Sequence, residues 1–428
     1  MKILYLNPSG IFGGAEQSLL DIIASVSAAR PDWKLSLIAG GDGPLIERAR
    51  ELGIAATVAP MPESLAQIGD AGVDGPAGMQ VGKFSLAASM ARAATPTVFY
   101  ARSLRRKIDA LSPTVIHTNG FKMHLLGAWA AGAKTPVIWH VHDYVSARPV
   151  MARLMRLQAH RCAAAIANSN SVADDLRATC PDPTGASGAG RGSGAGRRAR
   201  HRHFDIITVY NAVNLDRFKP DGNVAPLDEL SGLAPPPAGT IRVGLVATFA
   251  RWKGHEVFLR ALAAVPAGLS VRGYIIGAPL YQTRGSQYSI AELRALAAQL
   301  GLGGRAGFTG FVDDVSAAMR ALDIVVHAST QPEPFGLSII EAMACGKPVI
   351  ASRAGGAAEI VEASGAAVFH SPGDAADLAN RIAQLAGDSA KRQCLGQAGR
   401  GAAERLFARP RLAQELIPIY ERVASAGA

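Results

Sequence analysis

The chain has 428 residues, 49% of them hydrophobic, and a formal net charge of +10 at pH 7. This length exceeds one ordinary hydrophobic core and predicts two domains, and the apolar content excludes an intrinsically disordered protein. The basic excess lies in the first half: residues 1–215 hold 23 Lys/Arg and 15 Asp/Glu (+8), whereas residues 216–428 hold 21 and 19 (+2). Such a balance leaves open either an anionic partner or a solvated arginine-rich surface.

The N-terminus and the cysteines indicate a reduced cytoplasmic protein. The apolar run that follows Lys2 is too short for a signal peptide, and no run reaches the roughly 18 apolar residues of a membrane span. The four cysteines show no paired metal-ligand spacing. We therefore expect a cytoplasmic location, with peripheral attachment to the inner face of the membrane left open.

The first half alternates predicted strands and helices. A strand over residues 3–6, a loop that contains Gly13 and Gly14, and a helix from Glu16 open an α/β domain. The later predicted elements of this half are strands at residues 35–39, 54–58, 114–117, 136–141, 165–168 and 206–210, and helices at residues 44–52, about 84–94, 99–110, 125–131, 150–164 and 171–177.

Two segments of the first half depart from this alternation. Residues 62–96 are weakly patterned and are predicted as a variable loop around the helix at about 84–94. Residues 181–203 hold five arginines and one aspartate, and almost no bulky apolar side chain. Because such a segment cannot bury enough surface to order itself, we predict a disordered insertion there.

The second half repeats the alternation after a proline-rich linker at residues 219–239. Its predicted strands lie at residues 243–247, 271–276, 306–309, 324–327, 349–351 and 367–369, and its helices at 255–265, 290–300, 315–321, the apolar run around Glu341, 374–385 and 389–407. Two such series predict two Rossmann-like, doubly wound domains, residues 1–218 and 219–408, and a terminal helix in 409–428 that packs back on the first domain. Because ligands of such sheets bind beyond the carboxyl ends of the strands, we expect the site in a cleft between the domains.

The stretch around Glu333 holds the densest set of candidate site residues. Glu333 and Glu341 stand eight residues apart and are separated by a Pro-Phe-Gly-Leu turn, and a glycine pair, Gly355 and Gly356, follows the next predicted strand. Helix N-termini and glycine-rich loops present unpaired backbone N–H groups, which suit a phosphate-bearing ligand. The pattern therefore predicts a phosphate site here.

This stretch and four other motifs resemble, in order and spacing, the retaining glycosyltransferases of family 4, which have the GT-B fold. The four other motifs are Gly13-Gly14-Ala15-Glu16, Asn211-Ala212-Val213-Asn214, Trp252-Lys253-Gly254 and Phe308-Thr309-Gly310-Phe311. The resemblance covers nearly the whole chain apart from residues 62–96 and 181–203. It implies an α/β fold of two Rossmann-like domains facing across a cleft, and transfer of a sugar from a UDP or GDP sugar to an acceptor hydroxyl without a metal or other cofactor.

The resemblance also assigns roles to residues. Lys253 would contact the diphosphate, Glu333 the transferred sugar and Glu341 the ribose. The predicted sets are catalytic His142, Lys253 and Glu333; donor-binding Gly13, Gly14, Arg251, Lys253, Val312, Glu333, Phe335, Gly336, Leu337 and Glu341; and acceptor-side His117 and Asn119. Thr248 stands where family members usually carry an arginine, and Arg251 is the candidate substitute.

Several alternatives stay open. A sugar-nucleotide epimerase shares this fold, and a nucleotide-sugar-binding scaffold with a weak or inactive site is consistent with Thr248. The acceptor is an open choice between a glycan and a lipid-linked sugar, and the basic helices make an anionic membrane surface a candidate partner. Nucleic acid is not expected as a partner, because no aromatic platform accompanies the arginines.

Overall fold

The structure is a computed structural model that describes residues 1–66, 83–132, 135–180, 205–280 and 286–427. The predicted insertion at 181–203 and part of the predicted loop at 62–96 lie outside these described residues. The chain divides into two compact units, one formed by the chain up to Tyr210 with the segment from Pro410 onward, and one that spans Asn211–Arg409.

The first unit is built on a seven-stranded sheet in the order β3-β2-β1-β4-β5-β6-β7, and all neighbouring strands are parallel. The strands are β1 (Lys2–Asn7), β2 (Lys34–Ala39), β3 (Ala55–Val58), β4 (Val115–Asn119), β5 (Val137–Val141), β6 (Cys162–Ala167) and β7 (Asp205–Thr208). The helices before the second unit are α1 (Gly14–Ala29), α2 (Pro44–Glu51), α3 (Glu63–Ala66), α4 (Lys83–Leu111), α5 (Phe121–Ala130), α6 (Pro149–Gln158) and α7 (Asn170–Thr179). The central strands are buried along their length, as expected for a parallel sheet covered on both faces.

The second unit has a six-stranded parallel sheet in the order β10-β9-β8-β11-β12-β13. Its strands are β8 (Ile241–Val246), β9 (Val271–Ile276), β10 (Ala306–Gly310), β11 (Ile324–His327), β12 (Val349–Ser352) and β13 (Val368–His370). Its helices are α8 (Leu227–Leu230), α9 (His255–Ala264), α10 (Ile290–Gln299), α11 (Val315–Arg320), α12 (Leu337–Ala344), α13 (Gly355–Ser364), α14 (Ala375–Gly387) and α15 (Ser389–Leu406).

Each sheet has one switch point, where the strand order reverses direction: between β1 and β4 in the first unit, and between β8 and β11 in the second. The loops that leave the carboxyl ends of these two strands diverge to opposite faces of the sheet, and the gap between them is the usual ligand site of a doubly wound sheet. The topology therefore selects two loop pairs, one in each unit, as the places to look for function.

The last helix, α16 (Arg411–Gly427), belongs to the first unit. It packs against α1, where the Ala413 N–H donates to Ser25 Oγ at 3.0 Å. The segment after Tyr210 is instead tied to the second unit, because the Val213 N–H donates to the Phe407 carbonyl at 2.8 Å. The boundary of the units thus lies at Tyr210–Asn211, upstream of the predicted boundary at 218.

The prediction differs from the structure in three places. The two helices predicted at about 84–94 and 99–110 form the single helix α4, which continues through Pro96. The buried side chains of Tyr100, Leu104 and Ile108 recur every four residues and hold the helix on the core, which outweighs the lost proline hydrogen bond. The helix predicted at 150–164 ends at Gln158, because residues from Cys162 onward pair with β5 and β7 as the strand β6.

The third difference is helix α13, which the sequence patterns predicted as a glycine-rich loop. Gly355 and Gly356 are its first two residues. A Cβ atom on Gly356 would lie 2.5 Å from the Pro334 carbonyl oxygen, so this glycine permits close packing of the helix start against the loop that carries Glu333.

No helix within the described residues is both long and apolar enough to cross a membrane.

Candidate functional site

The switch point of the second unit brings Lys253 and Glu333 together. Lys253 lies in the loop after β8 and Glu333 in the loop after the neighbouring strand β11. The Lys253 Nζ atom donates to both carboxylate oxygens of Glu333, at 2.9 Å (Oε1) and 2.7 Å (Oε2). Their side chains are only 21% and 8% exposed, so this ion pair is largely removed from water. Lys253 and Glu333, which were predicted to bind the same sugar-donor molecule, are therefore in direct contact.

Two further side chains hold Glu333 in place. The Ser329 hydroxyl donates to Glu333 Oε2 at 2.8 Å, and His327 Nε2 lies 3.0 Å from the same oxygen. Burial would raise the pKa of Glu333, but the Lys253 charge and the His327 hydrogen bond outweigh it and hold the pKa well below its usual range. The carboxylate is therefore ionised at neutral pH. Neither His327 nor Ser329 was among the predicted site residues. The signal that could have found them is their position at the end of a strand next to the switch point.

Close backbone packing positions both loops. Gly254, which follows Lys253, has φ +78°, and a Cβ atom there would lie 1.9 Å from the Ala328 carbonyl oxygen. The Thr330 N–H donates to the Trp252 carbonyl at 2.8 Å, and the Gly356 N–H donates to the Glu333 carbonyl at 2.7 Å. The loop after β8, the loop after β11 and the start of α13 thus form one connected backbone assembly.

The other predicted donor-binding residues of this stretch surround the start of α12. Gly336, at φ +107°, is the N-cap of α12, and Leu337 is its first residue. Phe335 is buried, with its ring centroid 6.2 Å from that of Phe407. Glu341 lies one turn after Leu337 and is half-buried. A short helix start and a half-buried carboxylate therefore lie beside the Glu333 loop.

Arg251 is engaged in other contacts in this structure. Its guanidinium forms an ion pair with Glu292 at 2.7 Å and stacks 4.3 Å from the ring centroid of Tyr288. The predicted role of Arg251 as a substitute for the arginine missing at Thr248 would require it to leave these partners. Val312 follows β10 and is half-buried, next to the exposed Phe311.

The switch point of the first unit is joined by side-chain amides. The Asn119 Nδ2 atom donates to Asn7 Oδ1 at 2.7 Å, and the Asn7 Nδ2 atom donates to Glu16 Oε1 at 3.3 Å. The other Glu16 oxygen accepts the Gly13 N–H at 3.1 Å. Gly13 is thus the N-cap of α1, and Gly14, predicted within the loop, is the first residue of that helix.

Histidines with buried ring nitrogens lie beside this network. His142 directly follows β5, and among the described residues neither of its ring nitrogens has a hydrogen-bond partner. Its ring centroid lies 3.9 Å from that of His140, which in turn lies 5.1 Å from that of His117. Burial lowers the pKa of both His142 and His117 to about 3, so both are neutral at pH 7.

The predicted acceptor-side residues are both inside the first unit. His117 has no exposed surface, and its Nδ1 atom lies 2.8 Å from the Tyr420 hydroxyl of α16. Asn119 is 1% exposed and is held by Asn7. Their side chains therefore present no surface to an acceptor unless neighbouring side chains move, whereas His142 keeps partial exposure.

Metal ligands are not grouped in the part of the chain that the structure describes, where no three His, Cys, Asp or Glu side chains lie close enough to hold an ion. Asp314 is the N-cap of α11 and accepts the Ala317 N–H at 3.0 Å.

Two protein-family models match the chain, and together they cover both units. The model described as Glycosyltransferase Family 4 matches residues 12–184, and the model described as Glycosyl transferases group 1 matches residues 235–402. The first therefore contains His142, and the second contains Lys253, Glu333 and Glu341.

Similar proteins fall in the same class. A crystal structure of Anabaena Alr3699/HepE in complex with UDP and glucose superimposes with a TM-score of 0.73 and 26% identity, covering 98% of this chain and 99% of the other. A D-inositol 3-phosphate glycosyltransferase 2 of Catenulispora acidiphila is 38% identical over 40% of each chain. A 2-deoxystreptamine glucosyltransferase of Streptomyces kanamyceticus is 32% identical over 51% of this chain and 54% of its own. The matched parts thus span about half the length of these two curated relatives.

Proposed function

Because the chain belongs to the group 1 and family 4 glycosyltransferases with the GT-B fold, we propose that it transfers a sugar from a nucleoside diphosphate sugar to an acceptor hydroxyl with retention of the anomeric configuration. The observation that carries this proposal is the Lys253–Glu333 pair at the switch point of the second unit. A cation and an ionised carboxylate side by side match the two parts of such a donor, the anionic diphosphate and the sugar hydroxyls.

Lys253 supplies the charge for the leaving group in this proposal. As the bond between the anomeric carbon and the diphosphate breaks, negative charge grows on the diphosphate oxygen, and a buried ammonium stabilises it more than a solvated one would. The backbone N–H groups at the start of α12 add donors for the phosphates. Neither group needs a metal ion to perform this step.

Glu333 orients the transferred sugar by accepting hydrogen bonds from its hydroxyls. Its three neighbours keep it ionised and hold its side chain in one position, which lowers the entropy cost of orienting the donor. Glu341 accepts hydrogen bonds from the ribose. From the family resemblance, His142 of the first unit contacts the transferred sugar as a neutral ring.

The proposed reaction needs no protein side chain as a base. The acceptor oxygen bonds to the anomeric carbon on the face from which the diphosphate departs, and its proton passes to the leaving diphosphate oxygen. UDP is the first candidate for the nucleotide, since the HepE structures contain UDP or UDP-glucose, and GDP is the second.

The acceptor is a glycan or a lipid-linked sugar, and an anionic membrane surface is the proposed place of reaction. In the first unit α5 packs against both α4 and α6, and these helices expose Phe99 (64%), Trp129 (46%) and Leu157 (63%). Exposed Arg102 lies three residues after Phe99 on α4, and exposed Arg153 four residues before Leu157 on α6, so each arginine shares a helix face with an exposed apolar side chain. Basic and apolar side chains together suit an interface of anionic headgroups and acyl chains.

The turnover experiment tests the reaction. The full chain is incubated with UDP and GDP sugars and an acceptor panel, released nucleoside diphosphate is measured, and the product anomer is assigned by NMR. Glu341→Ala should raise the donor KM about tenfold, as expected for a lost hydrogen-bonded carboxylate, whereas Glu362→Ala on the exposed side of α13 should not. Binding of UDP without turnover would instead support the scaffold alternative, and an inverted product would exclude the retaining mechanism.

Vesicle co-sedimentation tests the membrane partner separately. The chain should pellet with vesicles that contain anionic lipid and not with neutral ones, and Leu157→Ser with Arg153→Glu should reduce the pelleted fraction several-fold. Val224→Ser removes an equally exposed apolar side chain (58%) from the second unit and is the matched control. Equal pelleting by all variants would contradict the assignment of this surface.

A further inference from the structure

A stack of three histidine rings connects the C-terminal helix to His142. The Tyr420 hydroxyl of α16 lies 2.8 Å from His117 Nδ1. The His117 ring meets that of His140 edge to face, with centroids 5.1 Å apart at 88°. The His140 ring then contacts that of His142, with centroids 3.9 Å apart. All four side chains belong to the first unit, and Tyr420, His117 and His140 are at most 1% exposed.

Ring packing and one side-chain hydrogen bond restrain the stack, and the Tyr5 ring also lies against His117, with centroids 5.2 Å apart. Among the described residues, His117 Nε2, His140 Nδ1 and both ring nitrogens of His142 have no hydrogen-bond partner. The Tyr420 hydroxyl is therefore the side-chain hydrogen bond that orients the first ring, and the other two rings are oriented through packing against it. Close-packed interiors transmit such a restraint, because a rotated ring would have to displace its neighbour.

We infer that Tyr420 is a positioning residue for His142, acting through His117 and His140. This inference rests on the proposed function, in which His142 contacts the transferred sugar. It gives the C-terminal helix a role in the reaction beyond completing the core. It also explains why His117, predicted on the acceptor side, is wholly buried: it orients another side chain.

The test is Tyr420→Phe, which removes the hydroxyl and keeps the ring. Losing one neutral buried hydrogen bond should lower kcat about fivefold with KM for the donor within about twofold. In a His142→Ala background the same substitution should change kcat less than twofold, because the positioned ring is gone. Equal losses in the two backgrounds would overturn the inference.

A matched control separates positioning from helix docking. Ser25→Ala removes the hydroxyl that accepts the Ala413 N–H, and so weakens the contact of α16 with α1 without touching a histidine. It should lower the melting temperature about as much as Tyr420→Phe but leave kcat unchanged. If Ser25→Ala lowers kcat as much as Tyr420→Phe, the role of Tyr420 is structural.

A measurement that does not depend on enzyme turnover tests the role of Tyr420 independently of the proposed function. In a chain labelled with 15N-histidine, Tyr420→Phe should shift the ring resonances of His142, whereas Ser25→Ala should not. Absence of turnover in the unmodified chain with every donor would refute the proposed function alone. Unchanged His142 resonances in Tyr420→Phe would refute the inference alone.

Discussion

The two switch points have the same topology and opposite chemistry. In the first unit the loops after β1 and β4 meet through a pair of neutral amides, Asn7 and Asn119, beside a stack of neutral histidines. In the second unit the loops after β8 and β11 meet through a largely buried ion pair, Lys253 and Glu333. A parallel sheet thus determines where two loops meet, and the side chains determine what that place binds.

The largest expected effect that would sharpen this comparison is acid destabilisation of the first unit. His117, His124 and His140 are buried, and burial lowers the pKa of each, to about 3 for His117. Below about pH 6.5 the unfolded chain binds protons that the folded chain does not, so the free energy of unfolding falls as the pH falls. At pH 5, His117 alone should lower the free energy of unfolding by about 2 kcal/mol, and His124 and His140 should lower it further.

Tryptophan fluorescence can follow the first unit by itself. Of the four tryptophans only Trp252 lies in the second unit, so a Trp252→Phe chain reports unfolding around Trp33, Trp129 and Trp139. Its melting temperature should drop between pH 7.5 and pH 5. In the second unit the pKa of Glu333 is depressed, so its contribution is lost only below about pH 4.5. Burial also lowers the pKa of His255 to about 3 and lowers that of His370, so the second unit loses stability over the same pH range as the first, but from fewer buried histidines. A melting temperature that does not change with pH would show that the buried histidines of the first unit are not held neutral.

The second prediction breaks the ion pair. Lys253→Ala should lower kcat about 10²- to 10³-fold, the usual cost of removing one charge-stabilising group from an active site. Lys219→Ala is the matched control, because it removes a lysine from an exposed pair with Asp221 (3.4 Å) in the same unit. Rates of nucleoside diphosphate release measure both. Full activity in Lys253→Ala would show that the ion pair is structural.

The third prediction disturbs the backbone under the ion pair. In Gly254→Ala the new Cβ atom would overlap the Ala328 carbonyl, whereas at Gly365 nothing lies within 4 Å of the added atom. Both glycines have positive φ, +78° and +60°, so Gly365→Ala carries the same backbone cost without the clash. Gly254→Ala should be less stable than Gly365→Ala by about 1–3 kcal/mol in urea unfolding. Equal stabilities would mean that the loop after β8 can move freely.

The smallest expected effect concerns the groups around Glu333. Ser329→Ala removes one of the donors to its carboxylate and should lower kcat about fivefold to tenfold, with the donor KM nearly unchanged. Ser364→Ala, which loses a hydrogen bond to the Val361 carbonyl at the end of α13, should leave both constants unchanged. A raised KM with normal kcat would place Ser329 in donor binding and not in orienting Glu333.

Prediction from the sequence succeeded where local patterns and tertiary structure agree. Short apolar runs between turn residues correctly indicated the strands of both sheets. It failed where packing overrode a local signal. Two helices were predicted on either side of Pro96, and a loop was predicted at Gly355 and Gly356, yet all three residues are helical because neighbouring residues pack there.

For the candidate site, the sequence determined the residue types and the order of the loops. It indicated that Lys253 follows one strand and Glu333 another, and it indicated that His142 ends a third. Only the tertiary structure decided which strands are neighbours, and hence that Lys253 and Glu333 are in contact and that Asn119 pairs with Asn7. The contact of Tyr420 with His117 joins residues about 300 positions apart. Hydrogen bonds over such separations depend on strand order and helix docking, which no local pattern in the sequence contains.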